Sequence, residues 1–145
     1  MPHIQLNWLA IFLSMVAAFV FGFFWYGPLF GKPWAKIMGL KMDCKPEGKV
    51  MARAFGLQIV GLFLTTFVLA HTCQIWRPSV LGVGQDDSNA IYGFFGGFFT
   101  WVGFYVPIQF GKISWENRPW KLFLINSTYD FLNLQLISQI LVHIR

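Results

Sequence analysis

The sequence predicts an all-α fold, a bundle of four transmembrane helices forming a single domain over residues 1–145. Two features of the composition support this fold class: 56% of the residues are hydrophobic, and only 12% are charged. A soluble domain carries about 25% charged residues. The charged residues also cluster between long apolar runs, so the net charge of +5 reflects membrane topology and lipid head groups. The expected partner is therefore the lipid bilayer, and no nucleic acid partner is expected.

Four apolar runs place the predicted helices at about 4–26, 54–76, 89–110 and 120–144. Each run reaches about 20 residues or more, the length that an α-helix needs to cross a hydrocarbon core roughly 30 Å thick. Pro28 is expected to end the first helix and Pro107 to kink the third, because proline lacks the N–H that a helix interior uses.

A short amphipathic segment is predicted in the first loop, from Pro33 to Met42. Trp34, Ile37 and Met38 recur at helical spacing there, with lysines on both sides. This pattern is typical of a helix lying at the membrane surface with its lysines near anionic lipid.

The distribution of Lys and Arg predicts the orientation. The loop at 27–53 contains six of these residues and the loop at 111–121 three, whereas the loop at 77–88 and the C-terminus contain one each. Basic loops remain in the cytoplasm. We therefore expect both termini outside, and Cys44 and Cys73 on opposite sides of the membrane.

Small residues repeat at helical spacing in the first and third predicted helices. They are Ser14, Ala18 and Gly22 in the first, and Gly93 and Gly97 in the third. Such ridges let helix backbones approach closely. The alternative is that small residues are simply common in membrane helices.

The last predicted helix carries a polar cluster of Asn126, Tyr129, Asp130 and Asn133, which share one helical face. A carboxyl group near the bilayer centre is costly, about 2.5–3.5 kcal/mol on insertion scales, so other helices should cover this face. Groups at similar depth are expected to hydrogen-bond Asp130; they are Thr65, Thr66, Thr100 and Trp101. Two readings stay open: a proton or cation site in a translocation path, or a neutral carboxyl group that fixes helix packing.

Three histidines and one cysteine are expected near the outer surface: His3, His71, Cys73 and His143. Imidazole and thiolate are metal and haem ligands, but the spacing matches no established motif. Neither a metal nor another cofactor is therefore expected. Catalytic signatures such as His-Glu-x-x-His and the nucleophile elbow are also absent from the sequence, so we do not expect an enzyme.

A partial internal repeat in the sequence suggests a duplicated two-helix unit. The first helix ends in Tyr26-x-Pro28 followed by Phe-Gly-Lys, and the third ends in Tyr105-x-Pro107 followed by the same triplet. Both copies run from outside to inside, so the repeat would be parallel. Coincidence among residues that favour membrane interfaces is the alternative.

Two motifs resemble those of the DUF1761 family. The first is Asn7-Trp-Leu-Ala10, then Gly22, Trp25-Tyr-Gly-Pro-Leu-Phe-Gly-Lys32 and Trp34; the second is Leu122-Phe-Leu-Ile-Asn126 with Tyr129. The resemblance implies a small bacterial membrane protein of about four helices, located in the inner membrane. The family has no assigned function, so the resemblance transfers no site residue.

Three functions follow from these patterns. The leading one is a non-enzymatic membrane protein that acts through helix packing, as a homo-oligomer or as an accessory subunit with partner subunits in a membrane complex. The alternative is a small proton, cation or solute transporter or channel that uses Asp130. The third is metal or haem binding by the outer histidines.

Overall fold

The computed structural model describes residues 4–41 and 47–144, and within them the chain is helical with no strand. The helices are α1 (Trp8–Phe24), α2 (Gly31–Met38), α3 (Gly48–Ile75), α4 (Pro78–Leu81), α5 (Asn89–Thr100), α6 (Val106–Glu116) and α7 (Trp120–His143). A π-helical turn at Trp25–Leu29 extends α1, and a second at Trp101–Tyr105 joins α5 to α6. The predicted all-α class is confirmed.

Three helical stretches in the described part of the chain are long and apolar enough to cross a membrane. They are Trp8–Leu29, Gly48–Ile75 and Asn89–Glu116. Their outward surface is apolar, with Phe23 and Phe104 68% and 69% exposed. These features indicate a membrane protein. The fourth predicted span corresponds to α7, which is not one of the three, so a four-helix transmembrane bundle stays a prediction.

The last long helix, α7, lies at the centre of the fold. It packs against α1, α3, α5 and α6. Leu134 and Ile137 on α7 are 1% and 0% exposed, and they form a core with residues of α1 and α3 such as Ala18 and Leu69. Because neighbouring helices cover α7, it tolerates polar residues that lower its hydropathy, and these residues have protein partners in place of lipid.

The ends of the first long helix differ from the prediction. It begins at Trp8 because Asn7 is its N-cap: the Asn7 side-chain oxygen accepts hydrogen bonds from the backbone N–H groups of Leu9 and Ala10, at 2.9 and 3.1 Å. At the other end Pro28 does not stop the helix, which continues as a π-helical turn to Leu29.

Two other predicted boundaries shift outward. The second predicted helix starts at Gly48 instead of residue 54, and the third reaches Glu116 instead of residue 110. In the third, the expected kink at Pro107 is replaced by the π turn that precedes it. Pro107 then falls in the first turn of α6, where a helix does not need the missing N–H.

The short amphipathic segment forms α2, from Gly31 to Met38. It ends at Gly39, whose φ of 71° is a left-handed conformation that glycine adopts without strain. The predicted end at Met42 lies outside the described residues, and its position at a membrane surface stays a prediction.

Candidate functional site

The side chain of Asp130 is half-buried and accepts a hydrogen bond from Gln109, with 3.0 Å between Gln109 Nε2 and Asp130 Oδ2. Gln109 lies on α6 and is only 7% exposed. The sequence analysis did not identify this partner. Gln109 lies within the predicted third helix, past the π turn at Trp101–Tyr105, and its position in that helix did not indicate that its side chain meets α7.

A cavity of about 470 Å³ opens beside Asp130, and we call it the Asp130 cavity. It is lined by Tyr26, Trp34, Met38, Gln58, Gln109, Lys112, Glu116, Arg118, Leu122, Asn126 and Asp130. Gln109, Lys112 and Glu116 contribute one face of α6, at i, i+3 and i+7. The cavity therefore extends from the charged residues at the end of α6 to a carboxyl group on the central helix.

The charges of the Asp130 cavity are only partly paired. Glu116 and Arg118 form an ion pair, with 3.6 Å between Glu116 Oε2 and Arg118 Nε. Among the described residues, neither Asp130 nor Lys112 takes part in an ion pair. Asp130 and Lys112 interact electrostatically across the cavity without a direct ion-pair contact within 4.0 Å among the described residues.

The side chains expected to hydrogen-bond Asp130 have other partners. Thr65 Oγ1 lies 3.3 Å from the Tyr105 hydroxyl, Thr100 donates to the Gly96 carbonyl at 2.7 Å, and the Trp101 indole N–H donates to the Ser127 carbonyl at 2.9 Å. Thr66 Oγ1 is buried and has no hydrogen-bond partner among the described residues. Depth along a helix does not specify which face of the helix a side chain occupies.

The other members of the polar cluster differ in how far their side chains are buried. Asn126 lines the cavity and accepts a hydrogen bond from the Tyr26 hydroxyl at 3.0 Å. Tyr129 is 8% exposed and stacks on Phe21, with ring centroids 5.5 Å apart. Asn133 is buried, and its Oδ1 has no partner among the described residues. The predicted shared face therefore includes one open end, at Asn126 and Asp130, and one closed end, at Asn133.

Small residues of α1 face the central helix. Ser14 and Ala18 are both 0% exposed, and the Ser14 hydroxyl lies 3.5 Å from the Ile137 carbonyl. A Cβ atom at Gly22 would come within 2.8 Å of the Tyr129 hydroxyl. The ridge therefore makes room for α7, and Gly22 in particular makes room for an aromatic residue of the polar cluster.

Two glycines of α5 face glutamines of α7. A Cβ atom at Gly93 would lie 2.9 Å from Gln139, and one at Gly97 would lie 2.8 Å from Gln135. The same glutamine amides donate to the carbonyls of Ala90 and Phe94, each at 3.1 Å. The glycines thus let polar side chains of α7 reach the backbone of α5, contacts that the sequence analysis did not anticipate.

The histidines and the cysteine near the opposite end of the bundle are dispersed. His71 and His143 each place Nδ1 2.8 Å from the carbonyl four residues earlier in their own helix. Cys73 is 2% exposed and lies against Gly96. No group of three His, Cys, Asp or Glu residues suited to a metal occurs in the ranges that the structure describes. His3 and Cys44 lie outside those ranges.

A buried arginine ties together the loop between α3 and α5. Arg77 is 3% exposed, and its Nη1 lies 3.0 Å from Asn89 Oδ1 and 3.4 Å from Asp86 Oδ2. Asp86 also accepts from the N–H and hydroxyl of Ser79 at 2.9 and 2.8 Å. These bonds and the nearby guanidinium hold the pKa of Asp86 below its usual value. Asp86 is therefore held by a defined set of partners and is not simply a solvated loop residue.

Comparison with known proteins identifies one family. Neither the curated proteins nor the solved structures contain a match to this chain. A family model described as "Protein of unknown function (DUF1761)" matches residues 9–142, nearly the whole chain and all of α7 except its last residue. Together with three helices that are apolar enough to cross a membrane, this match shows that the chain belongs to the DUF1761 family.

Proposed function

We propose that the protein crosses the membrane four times, with α7 as the fourth span. The 24 residues of α7 extend about 36 Å at 1.5 Å per residue, enough to cross the hydrocarbon core. Most of its polar side chains face the other helices, with Thr128 and His143 among the exposed exceptions, and this lowers their cost in lipid. The basic loops then lie on the cytoplasmic side of a bacterial inner membrane, and both termini lie outside.

In this arrangement α2 lies at the cytoplasmic surface. Lys32 and Lys36 are exposed, whereas Ala35 is buried at 6% exposure. The Trp34 ring contacts Tyr26, with centroids 5.4 Å apart, which ties α2 to the end of the first span. Exposed lysines beside an anchored tryptophan suit contact with anionic head groups.

We propose further that the protein is a small transporter and that Asp130 is its solute- or proton-binding group, reached from the cytoplasmic side. The Asp130 cavity carries this proposal. A carboxyl group that only fixed helix packing would be enclosed by its hydrogen-bond partners. Asp130 instead lies half-buried in a cavity of about 470 Å³, within the size range of ligand sites, and within the described residues only one of its oxygens accepts a hydrogen bond. This geometry favours the transport hypothesis over the packing hypothesis that led the sequence analysis.

Flux across reconstituted liposomes tests this proposal. The native protein should dissipate an imposed ion or solute gradient, measured with a pH-sensitive dye and by solute uptake. Asp130→Asn should fold normally and lose the flux, because an amide keeps the shape but does not titrate. Asn133→Asp combined with Asp130→Asn serves as a reciprocal variant, because it moves the acid by about one turn along α7. Native protein without flux, or an Asn variant with full flux, would contradict the proposal.

A second candidate function, assembly with another subunit, is favoured by α3. Every residue from 48 to 61 is exposed, and Cβ atoms at Gly56 and Gly61 would meet nothing within 4 Å. This half of α3 is available to lipid or to a second helix. Oxidative crosslinking of a Leu57→Cys variant in native membranes tests whether this surface contacts lipid or a second helix. A dimer band supports a homo-oligomer. Val68→Cys on the same helix is the matched control.

A further inference from the structure

We propose that the Asp130 cavity binds a small zwitterion that carries both an ammonium and a carboxylate group, such as an amino acid or a betaine. This inference rests on the proposed solute site and names its substrate class. It starts from two opposite charges: Asp130 and Lys112 line one cavity and interact electrostatically, but among the described residues neither forms an ion pair within 4.0 Å.

Two opposite charges in one cavity select against ligands of a single charge. A simple cation that reaches Asp130 must lie near the Lys112 ammonium, and a simple anion that pairs with Lys112 must lie near the Asp130 carboxylate. Each therefore meets a repulsive contact as well as an attractive one. A zwitterion satisfies both groups at once, through charge-assisted contacts at its two ends.

The positions of the two charges orient the ligand. Asp130 lies on the central helix and is fixed by Gln109, whereas Lys112 lies one turn further along α6, towards the ion pair of Glu116 and Arg118. The ammonium end therefore enters first, towards Asp130. The carboxylate end remains beside Lys112, nearer the end of the bundle that carries the basic loops.

Aromatic and amide groups complete the ammonium end. The rings of Tyr26 and Trp34 line the cavity and contact one another edge to face, at 5.4 Å and 66°. Aromatic faces attract ammonium groups, most strongly where water is excluded. The Gln58 and Asn126 side chains also line the cavity, and their amide groups offer polar contacts that can orient a bound organic ligand.

Calorimetric titration of the full-length protein in detergent tests the substrate class. The probes are glycine, glycine betaine, choline and 3,3-dimethylbutyrate; the last two keep only the ammonium or only the carboxylate of betaine. We expect at least one of the two zwitterions to bind. Choline and dimethylbutyrate should bind at least about ten-fold more weakly, because each loses one charge-assisted contact.

Variants separate the two ends of the ligand. Lys112→Met should weaken zwitterion binding about ten-fold and should not weaken choline binding, whereas Asp130→Asn should weaken both. Lys121→Met removes a basic residue that does not line the cavity and should leave binding unchanged. Circular dichroism melting of each variant reports whether it is folded.

Other outcomes overturn the inference. They are equal affinity for choline and betaine, unchanged zwitterion binding in Lys112→Met, or no binding of either zwitterion by the folded native protein. Flux that depends on Asp130 without zwitterion binding would overturn the substrate class alone and leave the transport proposal standing. The absence of both flux and zwitterion binding in the folded native protein would overturn both the transport proposal and the substrate class.

Discussion

Two aspartates illustrate how local partners decide what a carboxyl group does. Asp86 accepts three hydrogen bonds, two from Ser79 and one from Arg77, and stabilises the loop between α3 and α5. Asp130 accepts one, from Gln109, and otherwise faces a cavity. The first carboxyl group therefore has a structural role, and the second remains available to a ligand.

The Asp86 contacts predict an acid-sensitive stability. Because the pKa of Asp86 is lower in the folded chain than in the unfolded chain, its contribution is present above the unfolded pKa of about 4 and is lost as the pH falls through the folded pKa. The melting temperature of the native protein in detergent should fall over this range. Asp86→Asn should lower the melting temperature at pH 7 and flatten the acid dependence.

Asp87→Asn is the matched control for this measurement, because Asp87 is exposed and adjacent. It should retain the native acid dependence. An Asp86→Asn variant with the same pH profile as the native protein would show that the Arg77 cluster does not stabilise the fold.

At the scale of the helix, α5 can approach α7 closely because α5 has glycines at the contact. At Gly97 a Cβ atom would lie 2.8 Å from Gln135, 2.9 Å from Ser138 and 3.1 Å from the Leu134 carbonyl. The last of these is backbone, which cannot rotate away. The small residue is therefore required for the close approach, which also lets Gln135 donate to the Phe94 carbonyl.

Gly97→Leu should destabilise the protein by about 1–3 kcal/mol, the typical cost of overpacking, with a further loss from the broken glutamine hydrogen bond. Thermal unfolding in detergent measures this change. Gly111→Leu is the control, because a Cβ atom at Gly111 meets nothing within 4 Å. Equal melting of the two variants would show that the α5–α7 contact tolerates a wider separation.

Sequence periodicity was most informative about helices and least informative about their partners. The all-α class, four long helices and the family followed from apolar runs and two motifs. The π turns were not predicted; each begins at a tryptophan, Trp25 or Trp101, whose indole N–H donates to a carbonyl of α7, Ile125 or Ser127. Gln109 lay within the predicted third helix, but helical periodicity does not specify which residue of a neighbouring helix a side chain meets.

At the scale of the whole molecule, the bundle is organised around its most polar long helix. Three apolar helices pack around α7, so most of its amides and hydroxyls and its carboxyl group contact protein or the Asp130 cavity, whereas Thr128 is exposed. The duplicated-unit hypothesis fits this arrangement only in part. Both copies contain a π turn, but one includes Pro28 whereas the other ends before Pro107, and Asn7 caps its helix whereas the Asn89 side chain accepts from Arg77.

The central claim is that the Asp130 cavity is open to water on the side of the basic loops. Asn126→Cys, in a background with Cys44 and Cys73 changed to serine, places a thiol in the cavity. A charged, membrane-impermeant thiol reagent should modify it in inverted membrane vesicles and not in intact cells. Leu124→Cys, at a lipid-facing position that is 61% exposed, should not react from either side.

Reaction of the Asn126→Cys thiol from the cytoplasmic side alone is the result that the proposed topology and cavity require. Reaction from the outer side alone would reverse the orientation. The absence of reaction in both preparations, in a folded variant, would contradict the claim that water reaches Asp130.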